Sequence, residues 1–155
     1  MNDKEITFAA DRMLGRLAKW LRMLGCDVTC GRHLSGHGLI RAARTEGRLI
    51  LTRDRSLRRK QPPPLLFIES NDYVEQLRQV MGACDLRPGA GLFTRCLVCN
   101  SRLEPREKDF VEKLVPPHVL ATQERFSWCG RCQKLYWPAT HQHKMLDALG
   151  KIAPP

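Results

Sequence analysis

Two Cys-x-x-Cys pairs constrain this chain more than any other feature of its sequence. The pairs are Cys96 with Cys99 and Cys129 with Cys132. Each pair can direct two sulfur atoms at one point, so four thiolates can surround a single Zn²⁺ as a tetrahedron. Disulfides are the main structural alternative, and redox activity is a weaker one because a single pair would suffice for it. The sequence therefore predicts a structural zinc site built from these four cysteines.

The N-terminal segment and the hydropathy argue against an oxidising compartment. Residues 1–12 carry several charged side chains and do not resemble a signal peptide, and no apolar run approaches membrane-spanning length. We therefore expect a cytoplasmic protein that does not bind membranes, in which paired cysteines bind metal instead of forming disulfides. The other three cysteines are expected to be buried small side chains and not ligands. They are Cys26, Cys30 and Cys84.

The charge of the chain predicts a polyanionic partner. The 155 residues include 26 Lys and Arg against 16 Asp and Glu, a formal net charge of +10. Nucleic acid is favoured over an anionic membrane, because a membrane-binding helix would combine a basic face with an aromatic one. The simpler alternative is a charged, well-solvated surface, but the cations cluster near particular acidic residues.

Residues 5–83 alternate between strand and helix patterns. Apolar runs at residues 6–10, 26–30, 49–52 and 65–68 predict four strands, and apolar residues at helical spacing predict helices after them. This alternation predicts an α/β fold with an open parallel sheet that has helices on both faces. No glycine-rich phosphate-binding loop follows any strand, which argues against dinucleotide-binding and P-loop folds.

Three aspartates follow three of the predicted strands. Asp11 comes directly after the first strand, Asp54 two residues after the third and Asp72 four residues after the fourth. Ligands of open α/β sheets bind at the carboxyl ends of the strands, where three carboxylates can meet. Mg²⁺ and Mn²⁺ prefer such oxygen ligands, and two of these ions about 4 Å apart can cleave a phosphodiester. The pattern therefore predicts a catalytic site for a hard cation.

Each aspartate also has a simpler explanation. Each precedes a predicted helix, where aspartate is favoured as an N-cap that accepts backbone N–H groups. Any one of them alone is better explained as a cap, whereas three at one edge of a sheet in a basic protein favour a metal site. An aspartyl-phosphate enzyme is a weaker alternative, because Met13 stands where its second acid would lie, two residues after Asp11.

Basic residues surround two of these aspartates. Arginine is well shaped to bind phosphates, which position a nucleic acid without reading its sequence. A solvated face remains the default for the first helix, but the cluster around Asp54 is denser than solubility requires. The residues predicted on the polar face of the first helix are Arg12, Arg16, Lys19 and Arg22. Those of the second cluster are Arg53, Arg55, Arg58, Arg59 and Lys60.

Six segments together resemble one known family. They are ADRMLGRLAKWLR at 10–22, EGR leading into LTRD at 46–54, EQL at 75–77, RCLVCN at 95–100, CGRC at 129–132 and YWPATH at 136–141. The chain closely resembles the Mut-seven C-terminal RNase domain family, in which a PIN-like nuclease domain is fused to a zinc ribbon. The resemblance covers nearly the whole chain, and the combination is far more specific than either half alone.

The resemblance implies a division of labour along the chain. A PIN-like RNase domain would span residues 1–88, and a zinc ribbon residues 92–146. Asp11, Asp54 and Asp72 would bind Mg²⁺ or Mn²⁺ as the catalytic acids, the four paired cysteines would bind zinc, and RNA would be the substrate.

The chain departs from the family pattern at the start of the second helix. The family usually has an acid there, whereas residues 35–38 read SGHG. His37 has no evident partner for metal binding, and Glu46 lies at the wrong end of the helix to substitute. The alternative to a ribonuclease is therefore a non-catalytic RNA-binding or adaptor protein with an incomplete acidic site.

Aromatic residues in the C-terminal half lie among cations, a pattern that suits base stacking on single-stranded RNA. Trp137 is the candidate for this contact, and the alternative is that the aromatics form the small core of the ribbon. A second zinc site at His141 and His143 is disfavoured, because four cysteines already complete one shell. The aromatics are Trp128, Tyr136 and Trp137, and the cations are Arg125, Arg131, Lys134, His141, His143 and Lys144.

Overall fold

The computed structural model describes residues 5–138 and 140–152, without the side chains of Thr140 and His141. Within them the chain divides into two compact units. Residues 5–100 and Ile152 belong to the first unit, and residues 101–151 to the second. No helix among the described residues is long and apolar enough to cross a membrane.

The first unit is built on a four-stranded parallel sheet. The strands are β1 (Phe8–Ala10), β2 (Val28–Cys30), β3 (Leu49–Thr52) and β4 (Leu65–Phe67), in the order β2-β1-β3-β4. The helices are α1 (Gly15–Met23), α2 (Gly36–Glu46) and α3 (Tyr73–Ala83), with short 3-10 segments at Arg12–Leu14 and Arg55–Lys60. The predicted α/β fold with a parallel sheet and flanking helices is confirmed.

The strands are apolar throughout because both faces of the sheet are covered. Ala9 and Ile50 pack with Leu39 and Ala43 of α2 in one buried cluster. Since successive side chains of a strand point to opposite faces, their neighbours such as Leu51 point to the other face, and Leu51 is fully buried as well. Helix α1 packs against α3 and β2.

Glycines end the first two helices as their position in the sequence predicts. Gly47 follows α2 with φ 67°, and its N–H donates to the Ala43 carbonyl. Gly25 follows α1 with φ 96°, and a Cβ there would lie 2.3 Å from the carbonyl oxygen of Gly91. Met13 precedes α1 in the first 3-10 segment and is 57% exposed.

The strand order creates a crevice at the carboxyl edge of the sheet. The chain runs from β1 outward to β2, then returns past β1 to β3 and continues to β4. Strands β1 and β3 are therefore neighbours at the point where the winding direction reverses. Open α/β sheets bind ligands at such a reversal, next to the carboxyl ends of the strands.

The second unit is a three-stranded antiparallel sheet with short helices. Its strands are β5 (Glu104–Arg106), β6 (Phe126–Cys129) and β7 (Lys134–Tyr136), in the order β5-β6-β7. Its helices are α4 (Lys108–Val111), α5 (Pro117–Thr122) and α6 (Thr140–Ile152). A small core holds the unit together, with Leu120, Leu135 and Trp137 packed around Val111, Val115, Val119 and Phe126. Sequence reasoning missed these helices, although proline in the first turn of α5 is a recognised start signal.

Candidate functional site

The four paired cysteines converge. Their sulfur atoms all lie within 4.8 Å of one another, with Cys96 and Cys129 buried and Cys99 and Cys132 half-buried. Four thiolates in this arrangement can hold a tetrahedral Zn²⁺, so the donor set fits the predicted metal.

The two Cys-x-x-Cys turns have matching backbone geometry. The residue after each pair has a left-handed backbone, with φ 73° at Asn100 and φ 52° at Gln133. In the first turn the Asn100 N–H donates to the Cys96 carbonyl at 2.9 Å. In the second, which joins β6 to β7, the Cys132 N–H donates to the Cys129 sulfur at 3.4 Å. Local backbone conformation thus directs the two sulfurs of each pair to the same side of its turn.

Arg22 is hydrogen-bonded to the backbone of the first cysteine turn. Its guanidinium donates to the carbonyls of Leu97 and Val98 at 3.0 and 3.2 Å, and twice to the Val28 carbonyl. Burial lowers the pKa of Arg22, while the thiols of Cys30, Cys96 and Cys99 act in the opposite direction. A cation close to the thiolates offsets their negative charge.

The expectation that Arg22 lies on a solvated face is wrong, because its residue is only 5% exposed. Helical residues advance by about 100° each, so Arg22 lies about 120° around α1 from Arg16 and next to the buried face. No local sequence signal distinguishes it from its exposed neighbours, because two of its three carbonyl partners, Leu97 and Val98, lie more than seventy residues away along the chain.

A polar network holds the residues on either side of the first cysteine pair. Asp27 accepts from Asn100 and from Arg48, both at 2.7 Å. Arg95 donates to the carbonyls of Gly25 and Asn100. Burial alone would raise the pKa of Asp27, but hydrogen bonds from Arg48 and Asn100 and the charges of Arg48 and Arg95 lower it overall.

Asp11 lies at the reversal point of the sheet and is 1% exposed. Its backbone N–H donates to the Leu51 carbonyl at 2.9 Å. One carboxylate oxygen, Oδ2, accepts from the Thr52 hydroxyl at 2.8 Å. The other, Oδ1, is buried and has no hydrogen-bond partner among the described residues. Asp11 makes no side-chain cap to the 3-10 segment that follows it.

Asp54 and Asp72 do act as caps. Asp54 accepts from the Ser56 N–H at 2.9 Å at the start of the second 3-10 segment. Hydrogen bonding from Ser56 lowers the pKa of Asp54. Asp72 accepts from the N–H groups of Val74 and Glu75 at 3.0 and 3.2 Å at the start of α3.

The structure does not gather the three aspartates as it gathers the cysteines. Among the described residues, the four cysteines are the one set of three or more His, Cys, Asp or Glu with ligand atoms within 4.8 Å of one another. The carboxylates of Asp11, Asp54 and Asp72 share the carboxyl edge of the sheet but lie further apart than this.

Thr52 is the residue of this edge that sequence reasoning missed. Its hydroxyl donates to Asp11 and accepts from the Asp54 backbone N–H at 3.0 Å, so it joins the ends of β1 and β3. A threonine that ends an apolar strand two residues before an aspartate was the available signal.

Comparison with known proteins identifies the family. The model of the Mut7-C RNAse domain family matches residues 6–149, nearly the whole chain. The chain belongs to the Mut7-C RNase domain family. A search of the curated proteins and a search of the solved structures each found no match.

The start of α2 is where this Mut7-C domain lacks the expected acid. Ser35 occupies the cap position without a side-chain hydrogen bond, and His37 is exposed in the first turn. Gly36 has φ 50°, in the left-handed region, so a carboxylate side chain would be strained there. Of the two positions, only His37 can accept an acid without backbone strain.

The predicted RNA-binding residues of this Mut7-C domain have different surroundings. Arg53 donates to the carbonyls of Ile68 and Glu69 at 3.1 and 2.7 Å, so it ties β3 to the segment after β4. The Arg58 guanidinium lies 4.4 Å from the centre of the Phe67 ring. The remaining cations are exposed: Arg12, Arg16, Lys19, Arg55, Arg59 and Lys60.

The aromatic residues of the second unit serve its core in part. The Trp137 ring lies 6.5 Å from that of Phe126, and Trp128 meets Phe110 edge to face at 5.2 Å. Trp137 is half-buried, so an RNA contact would use the part of its ring that remains exposed.

The other three cysteines are half-buried, not fully buried as predicted. Cys30 ends the outer strand β2, and Cys84 follows α3. Burial raises the pKa of Cys26 to about 11, so this thiol stays protonated near neutral pH.

Proposed function

We propose that this Mut7-C domain is a metal-dependent ribonuclease that hydrolyses RNA phosphodiester bonds at the carboxyl edge of its parallel sheet. Asp11, Asp54 and Asp72 would bind Mg²⁺ or Mn²⁺. The proposal keeps a PIN-like domain at residues 1–88 and a zinc ribbon at residues 92–146. Family membership supports a nuclease-like activity. The three aspartates at the carboxyl edge of the sheet support that edge as the location of the reaction.

One observation supports the proposal most strongly: the unpartnered, buried Oδ1 of Asp11. A buried polar atom without a partner costs about 1–3 kcal/mol, and more when it is charged. Since the other oxygen is held by Thr52, the carboxylate cannot rotate to a better position without losing that bond. A bound cation would satisfy Oδ1 and offset this cost.

The residues at the carboxyl edge of the sheet would have different roles in the reaction. Thr52 orients Asp11, and the caps hold the carboxylates of Asp54 and Asp72 at fixed points. A divalent cation supplies an activated water and stabilises the leaving oxygen when it is bound. The exposed basic residues would hold the phosphates of the RNA next to this edge.

The second unit would add affinity for RNA. Trp137 directly follows β7, and the exposed cations Lys134 and Arg131 lie on β7 and in the turn before it. Base stacking beside cations suits a single strand. Reduced thiols bind zinc in a reducing compartment, which supports a cytoplasmic location.

A specific observation favours a second candidate, a non-catalytic RNA-binding protein. The three aspartates are not within 4.8 Å of one another, and two of them already cap helical segments. The start of α2 offers no carboxylate to complete the set. A site that does not close around a cation would leave a domain that binds RNA without cutting it.

An assay with purified protein tests the two candidates. Structured and single-stranded RNAs are incubated with Mn²⁺ or with EDTA, and cleavage is followed for the wild type, Asp11→Asn and the matched control Asp85→Asn. Asp85 is well exposed on the surface, and asparagine tolerates its positive φ.

The ribonuclease proposal expects cleavage in Mn²⁺ only, a loss of more than about 100-fold in Asp11→Asn, and no change in Asp85→Asn. In EDTA, Asp11→Asn should be at least as stable as the wild type, because it removes an uncompensated buried charge. RNA binding without cleavage by the wild type, with Asp11→Asn behaving identically, would establish the second candidate instead.

A further inference from the structure

A stack of three side chains borders a cavity at the carboxyl edge of the sheet. The rings of Trp20 and Tyr73 lie 5.8 Å apart and 26° from parallel. On Tyr73 the guanidinium of Arg16 lies 3.7 Å from the ring centre. Arg16 and Trp20 are on α1, and Tyr73 opens α3, so the stack joins two helices that pack together.

The cavity has a volume of about 260 Å³ and an exposed, polar rim. Leu14 and Leu17 line it with buried apolar side chains, and Asn71, Asp72 and Gln76 line it with polar ones. Gln76 fixes its wall by donating to the Ser70 carbonyl at 2.9 Å. Asp72, one of the proposed catalytic acids, thus borders the same cavity as Arg16.

Arg16 is positioned by stacking and not by an ion pair. Among the described residues, salt bridges join Arg48, Arg78 and Arg106 to nearby carboxylates, but none joins Arg16 to Asp72. A guanidinium held over an aromatic ring by cation–π attraction can still direct its N–H donors at another acceptor. The stacked arginine therefore presents its donors at small cost in side-chain entropy.

We propose that this cavity binds a phosphate of the RNA backbone, with Arg16 as its ligand and Tyr73 as the residue that positions Arg16. The inference rests on the proposed function in taking RNA as the ligand. Two oxygens of a tetrahedral phosphate can accept two parallel N–H bonds from one guanidinium, which a fixed arginine is well placed to donate. A phosphate bound in this cavity would lie beside Asp72, so the RNA backbone would reach the acidic edge.

Asp72 lines the same cavity as Arg16 and should oppose phosphate binding there. Without a divalent cation, the charge of Asp72 repels a phosphate held by Arg16 in the same cavity. Asp72→Asn should therefore strengthen RNA binding in EDTA in the wild-type background by about twofold, and should have less effect in Arg16→Gln. Two residues that act on the same phosphate must couple in this way.

The experiment measures fluorescence anisotropy of a labelled single-stranded RNA in EDTA over a range of salt concentrations. Arg16→Gln should weaken RNA binding about tenfold. It should also make the slope of the logarithm of the binding constant against the logarithm of the salt concentration shallower by about 0.7, the contribution of one phosphate contact. Arg41→Gln is the matched control, since Arg41 is an exposed helical arginine of α2 outside the cavity.

Variants of the stack separate charge from position. Tyr73→Phe keeps the ring and should bind RNA as the wild type does, whereas Tyr73→Leu should weaken binding by about threefold. Arg16→Lys keeps the charge but loses the planar fork, so it should restore the salt slope without restoring the full affinity. A general loss of stability would not explain normal RNA affinity in Tyr73→Phe together with reduced affinity in Tyr73→Leu.

Equal effects of Arg16→Gln and Arg41→Gln would overturn the inference, because only total charge would then matter. So would a loss in Arg16→Gln that Tyr73→Leu does not share. Cleavage in Mn²⁺ is recorded separately for each variant. A wild type that binds RNA through Arg16 without cleaving it would refute the ribonuclease and leave the phosphate site in place.

Discussion

The cysteine centre and the acidic edge hold similar numbers of potential metal ligands, yet only the cysteines are gathered. Each Cys-x-x-Cys turn aims two sulfurs through its own backbone, with a left-handed residue after the pair. The aspartates come from three separate strand ends, and two of them use their carboxylates to cap helical segments. Local turns therefore preform one site, while the other depends on side chains that have competing partners.

The two regions also differ in how their charge is compensated. Arg22 lies beside the first cysteine turn and donates to its carbonyls. Asp11 has a hydroxyl on one oxygen and no partner on the other among the described residues. The cysteine centre should therefore hold its metal tightly as a structural site, whereas the acidic edge should bind a cation less tightly, because two of its three carboxylates have competing partners.

Removal of zinc should have the largest effect. The second unit has a small core, and units of this size usually need a metal or disulfides to stay folded. Cys129→Ser should release the metal and unfold residues 101–151, which metal analysis and NMR would detect. Cys84→Ser, outside the cluster, is the control and should change neither. A zinc-free protein with native spectra would contradict the assignment.

Loss of Arg22 should weaken the cysteine centre without removing a ligand. Arg22→Met removes the charge and the hydrogen bonds to the first turn, so zinc affinity should fall about 10- to 100-fold in chelator competition. Lys19→Met, on the exposed side of the same helix, should leave the affinity unchanged. Equal affinity in both variants would show that the cysteine turn needs no support from α1.

Acid should selectively weaken the network around Asp27. Its pKa lies below the usual value of 3.8 because of Arg48 and Asn100. The stability that Asp27 adds is therefore complete above the unfolded-state pKa and is lost as pH falls through the lower folded-state pKa. The stability difference between wild type and Asp27→Asn should therefore shrink as pH falls below about 4 in denaturant titrations. If the stability difference between wild type and Asp27→Asn does not change with pH, the Asp27 carboxylate does not stabilise the fold through its charge.

The smallest effect concerns the start of α2. His37→Asp adds a carboxylate at the acidic edge and should tighten Mn²⁺ binding about two- to fivefold, as measured by calorimetry. Gly36→Asp should instead destabilise the fold, because its φ of 50° strains any side chain. If His37→Asp leaves Mn²⁺ affinity unchanged, this position lies too far from Asp11 to complete the site.

Several features of the fold were predictable because their signals are local. The four strands, the parallel sheet and the ends of α1 and α2 follow from apolar periodicity and from glycines with positive φ. The cysteine cluster was predictable for the same reason, since spacing alone directs each pair of sulfurs. The short helices of the second unit were missed because their segments are brief and weakly periodic.

The sequence by itself determined the fold class, the ligands of the cysteine centre and the presence of three aspartates at one edge. Only the tertiary structure decided what each polar side chain does there. It buries Arg22 under carbonyls far along the chain, joins Asp11 to Thr52, and stacks Arg16 on Tyr73. These pairings connect residues that are distant in sequence, so their energy depends on how the elements pack, and no local pattern records it.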